Sequence, residues 1–352
     1  LVGSASNRLP ARLTDGEFWQ LISDFSELDR SFVSDNFVSN EDAFQRVIPR
    51  LTQTPRGGVY LGVGPDQNFT YIVALRPQMA FVIDIRRQNL LLHLLYKALI
   101  EISDDRAEFL SRLFSRPRPS GLGDTSSINA LMAAYEPVAA SDALFEKNRR
   151  AVVDRLVRHH HFGLTRDDLT RLSAVYAAFV QAGPDIRYSI PGPLRFAPLE
   201  FPSYADLMRQ TDAEGQSRGY LATEANFRVL KEFERQNLIV PVVGDFAGNR
   251  ALPGIGQYLR EHGSMVTAFY VSNVEMYLFN DLFAWRRFYA TLASLPADRN
   301  STLIRSYNLN AEVDAGGVRL RLATTLDSME DFVHAVGDDQ IHQYADVTAR
   351  SR

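Results

Sequence analysis

Two glycines, Gly62 and Gly64, close one short apolar run, and Asp84 closes the next apolar run 20 residues after Gly64. Glycines at a strand end let the backbone turn tightly and approach a ligand with no β-carbon in the way. A carboxylate closing the neighbouring strand at that spacing can accept hydrogen bonds from both hydroxyls of a ribose. The pair therefore predicts an adenosine-containing small-molecule ligand. In open parallel sheets ligands sit outside the carboxyl ends of the strands, where strand order reverses. Four segments should gather there: Gly62-Val63-Gly64-Pro65-Asp66-Gln67-Asn68, Asp84-Ile85-Arg86, Gly244-Asp245-Phe246-Ala247-Gly248 and Ser272-Asn273-Val274-Glu275.

The loop chemistry narrows the ligand. A dinucleotide fingerprint has a third glycine at its sixth position, where this chain has Gln67. Asp66 stands where a pyrophosphate needs backbone donors and no nearby negative charge. The chain also lacks the Gly-x-x-x-x-Gly-Lys-Ser/Thr phosphate loop. S-adenosylmethionine (SAM) has no phosphate and carries an ammonium and a sulfonium, so an acidic loop suits it better than NAD, and an NAD-dependent oxidoreductase ranks third.

Tyr60-Leu61-Gly62-Val63-Gly64, Val82-Ile83-Asp84-Ile85 and Val243-Gly244-Asp245 resemble successive motifs of class I SAM-dependent methyltransferases, over roughly 57–102 and 236–325. Gly64–Thr70 and Val243–Gly248 are similar, more narrowly, to an uncharacterised bacterial family of that fold. The resemblance implies that the Gly62–Asn68 loop, with Pro65 and Asp66, holds the methionine moiety. It also implies that Asp84 takes the ribose, with Arg86 beside it, and that Asp245 and Phe246 meet the edge and face of adenine. Two positions depart from the family pattern. Gln67 replaces a small residue, and Ser272-Asn273-Val274-Glu275 stands where an Asn/Asp-Pro-Pro-Tyr motif marks amino-methylating members.

Methyl transfer is an in-line displacement in which positioning supplies much of the rate, and a base helps only if the acceptor must lose a proton. Glu275 is the candidate base, Asn273 an orienting group, and Tyr270 an aromatic face for the sulfonium. The structural alternatives are a helix-capping Glu275 and a core Tyr270. A non-catalytic binding or structural protein on the same fold, possible in an exported setting, fits the missing acceptor motif equally.

The elements that must position these residues follow from periodicity. Thr14 and Glu17 have capping-box spacing ahead of Phe18, Leu21, Ile22 and Phe25. Asn40 reads as the cap of a second helix with Phe44, Val47, Ile48 and Leu51; alternatively Asn36, Asn40 and Glu41 line an acceptor pocket. Continuous apolar strands at 58–64, 79–84, 238–245, 265–271, 302–305 and 318–323 alternate with helical patterns, the sign of a parallel sheet buried on both faces. Pro241 demotes its neighbourhood to an edge or bulge. The predicted fold is α/β, a Rossmann-like three-layer sandwich with a mostly parallel sheet. Its parts are an N-terminal helical cover (1–56), the core (57–102 and 237–325), a helical insertion (103–236) and a C-terminal helix or tail (326–352).

Composition sets the remaining bounds. In 352 residues, 38 basic against 42 acidic side chains give a net charge of −4, which argues against a nucleic-acid-coating protein. No apolar run reaches the about 18 residues of a membrane span. The absence of cysteine removes thiolate and disulfide chemistry without fixing a compartment. Leu1–Ser6 reads as either the remnant of an export signal or a boundary, so the expectation is cytoplasmic for a SAM enzyme and periplasmic otherwise. Three consecutive histidines, His159–His161, point about 100° apart on a helix and read as a solvated end, not a metal site. His93 reads as a half-buried structural histidine. No Gly-x-Ser-x-Gly elbow is present. Arg112, Arg116, Arg118 and the Arg149–Arg158 stripe have acidic neighbours and read as solvated helix faces.

Overall fold

The computed structural model describes residues 8–54, 57–190, 199–314 and 317–351. Leu1–Ser6 and residues 191–198 of a Pro/Gly-rich link lie outside them. The apolar runs form strands β1 (Val59–Gly62), β2 (Met79–Asp84), β4 (Ile239–Val243), β5 (Val266–Ser272), β6 (Thr302–Asp314) and β7 (Gly317–Ser328), with a two-residue β3 at Leu199–Glu200. Their order is β3-β7-β6-β5-β1-β2-β4. Among the described residues the strands of this sheet pair in parallel except for the β6–β7 hairpin. Every residue of β1, β2 and β4 is buried, which is why their runs are continuous and not alternating. The chain leaves β1 through helix Gln67–Leu75 to reach β2 on one side, and later returns to lay β5 on the other. Strand order therefore reverses between β1 and β5.

Pro241 sits in β4, which among the described residues pairs with β2 alone and ends the sheet; an edge tolerates the missing N–H. Two expectations need correction. The last two strands run as one long antiparallel hairpin from Thr302↔Ser328 to Asp314↔Gly317, not as short strands. The insertion expected to be mostly helical also contributes β3, whose two residues are too few to carry a periodic signal.

At the N-terminus, Glu17 N–H donates to Thr14 Oγ1 (3.2 Å) and Thr14 N–H to Glu17 Oε2 (2.7 Å), starting helix Asp15–Phe25. That helix buries Phe18, Ile22 and Phe25, the last edge-to-face on Phe81 of β2. Asn40 caps nothing: the next helical turn begins at Phe44, with Ala43 before it. Helices Arg106–Leu113, Ile128–Tyr135, Asp142–Val153 and Arg166–Ala182 add Phe109, Leu113, Tyr135 and Phe179 to the core that the sheet already fills. Buried Arg106 clamps both ends of this insertion. Its Nε donates to Glu224 Oε2 (3.0 Å), and its Nη atoms donate to the carbonyls of Leu221, Ala222, Asp124 and Ser126. The surface arginines pair locally, Arg112 with Glu108 and Arg118 with Asp105. Among the described residues no helix is long and apolar enough to cross a membrane.

Candidate functional site

Outside the carboxyl ends of β1, β2, β4 and β5 lies a half-open cavity of about 150 Å³. Gly64, Pro65, Asp84, Arg86, Asp245, Phe246, Tyr270 and Asn273 all line it, gathered from four strand ends. Gly62, Asp66, Asn68 and Glu275 do not. One wall comes from the N-terminal segment, with Phe32, Asn36, Asn40 and Glu41; these are cavity residues and not a surface loop.

The glycine turn is built from inside. Asn68 Nδ2 donates to the carbonyls of Val63 (2.9 Å), Gly64 (3.3 Å) and Pro65 (2.7 Å), while its Oδ1 accepts from Tyr60 Oη (2.8 Å). A β-carbon on Gly62 would lie 1.9 Å from Asn68 Oδ1. Gly62 is thus bare to admit this side chain, and both residues hold the loop instead of touching a ligand. Gly64 is the glycine the cavity needs: its φ is +78°, a conformation that disfavours a β-carbon, and open space surrounds the missing side chain. Beneath it, His93 Nε2 meets the Gly64 carbonyl at 2.9 Å. Burial pushes His93 down to about 4, so at neutral pH the ring is uncharged and Nε2–H is the donor. His93 is more deeply buried than the sequence suggests.

Asp66 points away from the cavity. It is buried and accepts from Tyr220 Oη at 2.8 Å, and burial raises its pKa to about 7. A folded pKa above the ordinary 3.8 means that the folded state holds the proton more tightly. The stability Asp66 contributes is complete below about 4 and is lost as pH rises through about 7. His93 acts in the opposite sense, losing stability as pH falls from 6.5 toward about 4. Asp66→Asn removes one of these opposing slopes. The variant's stability relative to wild type should climb from pH 4 to 7 and then level, measured by thermal unfolding across pH. A flat difference contradicts the assignment.

Asp84 is not the free carboxylate that its spacing predicts. Arg86 Nε reaches Asp84 Oδ1 at 3.1 Å, Nη2 reaches Oδ2 at 3.2 Å, and the Arg86 backbone N–H also donates to Oδ1 at 2.9 Å. Both side chains are buried. A carboxylate oxygen accepts about two hydrogen bonds, so Oδ1 is filled and Oδ2 keeps one site. A ribose diol gripped by both oxygens would have to displace Arg86. The guanidinium also donates to Ser34 O at 3.0 Å, tying the N-terminal wall to the end of β2.

Glu41, expected here only as the alternative to a helix start at Asn40, lines the cavity. It is 1% exposed. Its Oε1 accepts from Tyr270 Oη and Ser272 Oγ, both at 2.6 Å, and its Oε2 accepts from Gln67 Nε2 at 2.8 Å. Burial raises its pKa, and those hydrogen bonds oppose the rise. Gln67, the departure from the glycine pattern, is thereby explained: it also bonds Ser39 Oγ (2.5 Å) and Tyr71 Oη (3.1 Å), joining the loop to the N-terminal wall. Ser272 has φ of +51° where the β5–β6 register shifts, an unusual conformation for a non-glycine residue and one that clusters at functional sites.

Glu275, the candidate base, is committed elsewhere. Arg305 Nε and Nη2 meet its Oε2 and Oε1 at 2.6 and 3.0 Å, and Tyr289 Oη donates to Oε1 at 2.8 Å. The group is buried and outside the cavity, away from where a base would meet an acceptor, and makes no helix-capping hydrogen bond. Tyr270 is both buried, its ring 5.2 Å from Tyr71, and cavity-lining through the Glu41 bond. Asp245 Oδ2 is 2.8 Å from the exposed Arg30, and Oδ1 accepts from Ala247 N–H. Phe246 stacks on Phe288 with centroids 5.5 Å apart.

The histidine triplet differs from expectation at its centre. His160 is buried, with Nδ1 2.9 Å from Asp15 and Nε2 2.7 Å from Glu101, because a π-helical turn over Asp154–His159 swings it inward. Among the described residues no group of three or more His, Asp or Glu side chains could hold a metal ion.

A family model described as a domain of unknown function, DUF7790, matches residues 36–120 and 125–350, which include every cavity-lining residue but Phe32. No curated protein matches the chain.

Proposed function

The chain belongs to this DUF7790 family, and from its cavity we propose a SAM-binding, methyltransferase-like protein on a Rossmann-like sheet. The carrying observation is the cavity itself: it opens where strand order reverses, between β1 and β5, and collects the glycine turn and the β2, β4 and β5 ends. The residues fit an adenosyl ligand in part. Gly64 leaves room for close backbone approach, Oδ2 of Asp84 keeps one acceptor site for a hydroxyl, and Asp245 with Phe246 supplies a polar edge and an aromatic wall. When bound, SAM would supply an activated methyl group. The protein's own part is to position it and exclude water, with Asn273 the polar side chain at the start of the next helix.

A second reading, a binding protein without transferase activity, is favoured by the ion pairs that occupy Glu275 and Asp84. Calorimetry distinguishes binding first: heat with SAM or S-adenosylhomocysteine, and none with NADH, is the expected result. No heat at about 1 mM ligand, which corresponds to only about 4 kcal/mol of binding, removes the proposal. Binding without methyl transfer to any acceptor tried favours the second reading.

A further inference from the structure

Three carboxylates reach the cavity, and they are not equivalent. Asp84 has Arg86 and Asp245 has Arg30. The groups that meet the Glu41 carboxyl are the neutral side chains of Tyr270, Ser272, Gln67 and Ser306, and no ion pair to it is formed by any residue whose side chain is described. A buried carboxylate without a cationic partner is costly even when hydrogen-bonded, and in proteins such charges are usually paired or neutralised. Around it the cavity is lined by the aromatic residues Phe32, Tyr188, Phe246, Tyr270 and Tyr277, and aromatic faces favour desolvated organic cations over neutral groups.

We propose that Glu41 is the counter-ion for an onium centre, a sulfonium or alkylammonium group, of the molecule that occupies this cavity. The inference rests on reading the cavity as a ligand site, but not on the ligand containing adenosine. Burial raises the Glu41 pKa, and an onium group close by would act against that rise by stabilising the carboxylate. The charge comes from the N-terminal wall and not from a strand end, so the cover segment takes part in recognition.

The test compares charged and uncharged ligands of the same shape by calorimetry: SAM against S-adenosylhomocysteine, and choline against its uncharged carbon isostere. Wild type should prefer the cation by about tenfold or more in each pair that binds, since one charge–charge contact in a partly buried site is worth at least that factor. Glu41→Gln, nearly isosteric, should bring the ratio close to one. Equal affinities in wild type, or a ratio that survives in Glu41→Gln, overturns the inference while leaving adenosyl binding intact. Cation-selective binding of choline without any binding of SAM supports the inference and removes the adenosyl reading. No binding of either pair removes both. Should Glu41→Gln fail to fold, Tyr270→Phe and Ser272→Ala keep the charge and must retain the wild-type preference. A preference lost with a hydroxyl alone means that the carboxylate is not its source.

Discussion

Glu275→Ala is expected to lower the unfolding free energy by about 3 kcal/mol, the low end of what removing one partner of a buried ion pair costs, because Asp327 still faces Arg305. Arg305 is the member left behind. It is 3% exposed, its remaining carboxylate partner is Asp327 at 3.1 Å, and its guanidinium carbon lies 3.9 Å from the Phe332 ring centroid. Glu275 raises the Arg305 pKa despite burial, a measure of how strongly the two are coupled. Urea unfolding followed by fluorescence measures the loss. Ligand affinity at a temperature where the variant is folded should be unchanged, because Glu275 does not line the cavity. Wild-type stability together with abolished methyl transfer would restore Glu275 as a catalytic base and contradict its structural assignment.

Arg86→Ala is expected to cost a similar amount, about 3–5 kcal/mol, by stranding Asp84 as a buried carboxylate. It also cuts the bond to Ser34 O, and Ser34 Oγ holds Asn36 and Tyr188 at 2.6 and 2.7 Å, so one wall of the cavity should loosen. Hydrogen exchange at residues 31–39 reads this second effect directly. The consequence for binding has a definite sign. With the guanidinium gone, each oxygen of Asp84 has an acceptor site open to a diol, although Oδ1 keeps the backbone N–H of residue 86, and affinity for SAM in the folded variant should hold or rise. A fall of about a hundredfold with the fold intact would make Arg86, and not Asp84, the ligand contact.

The strands and the glycine turn were legible because buried parallel strands leave continuous apolar runs, and because few residues other than glycine accept the φ of Gly64. Asp84 and Arg86 were both expected at the site, but as ligand contacts and not as each other's partner, although the signal was present: residues i and i+2 at a strand end share a face, so Arg86 stands beside the carboxylate it neutralises. Glu41 was harder. Asn40 ahead of Phe44, Val47 and Ile48 imitates a helix start, whereas the chain enters the helical turn only at Phe44. The readable clue was Gln67. A long amide inside a tight buried loop needs partners, and they turn out to be Ser39, Glu41 and Tyr71. The Glu275–Arg305 pair could not be read at all, since its members meet only through the register that sets Ser272 against Arg305.

The most direct measurement is a backbone-amide NMR titration with SAM. Binding at the strand-order reversal predicts progressive shifts at Gly64, Gly244, Ser272 and Asn273, from the ends of β1, β4 and β5. Unmoved resonances at all four, or shifts confined to residues remote from those strand ends, would contradict it.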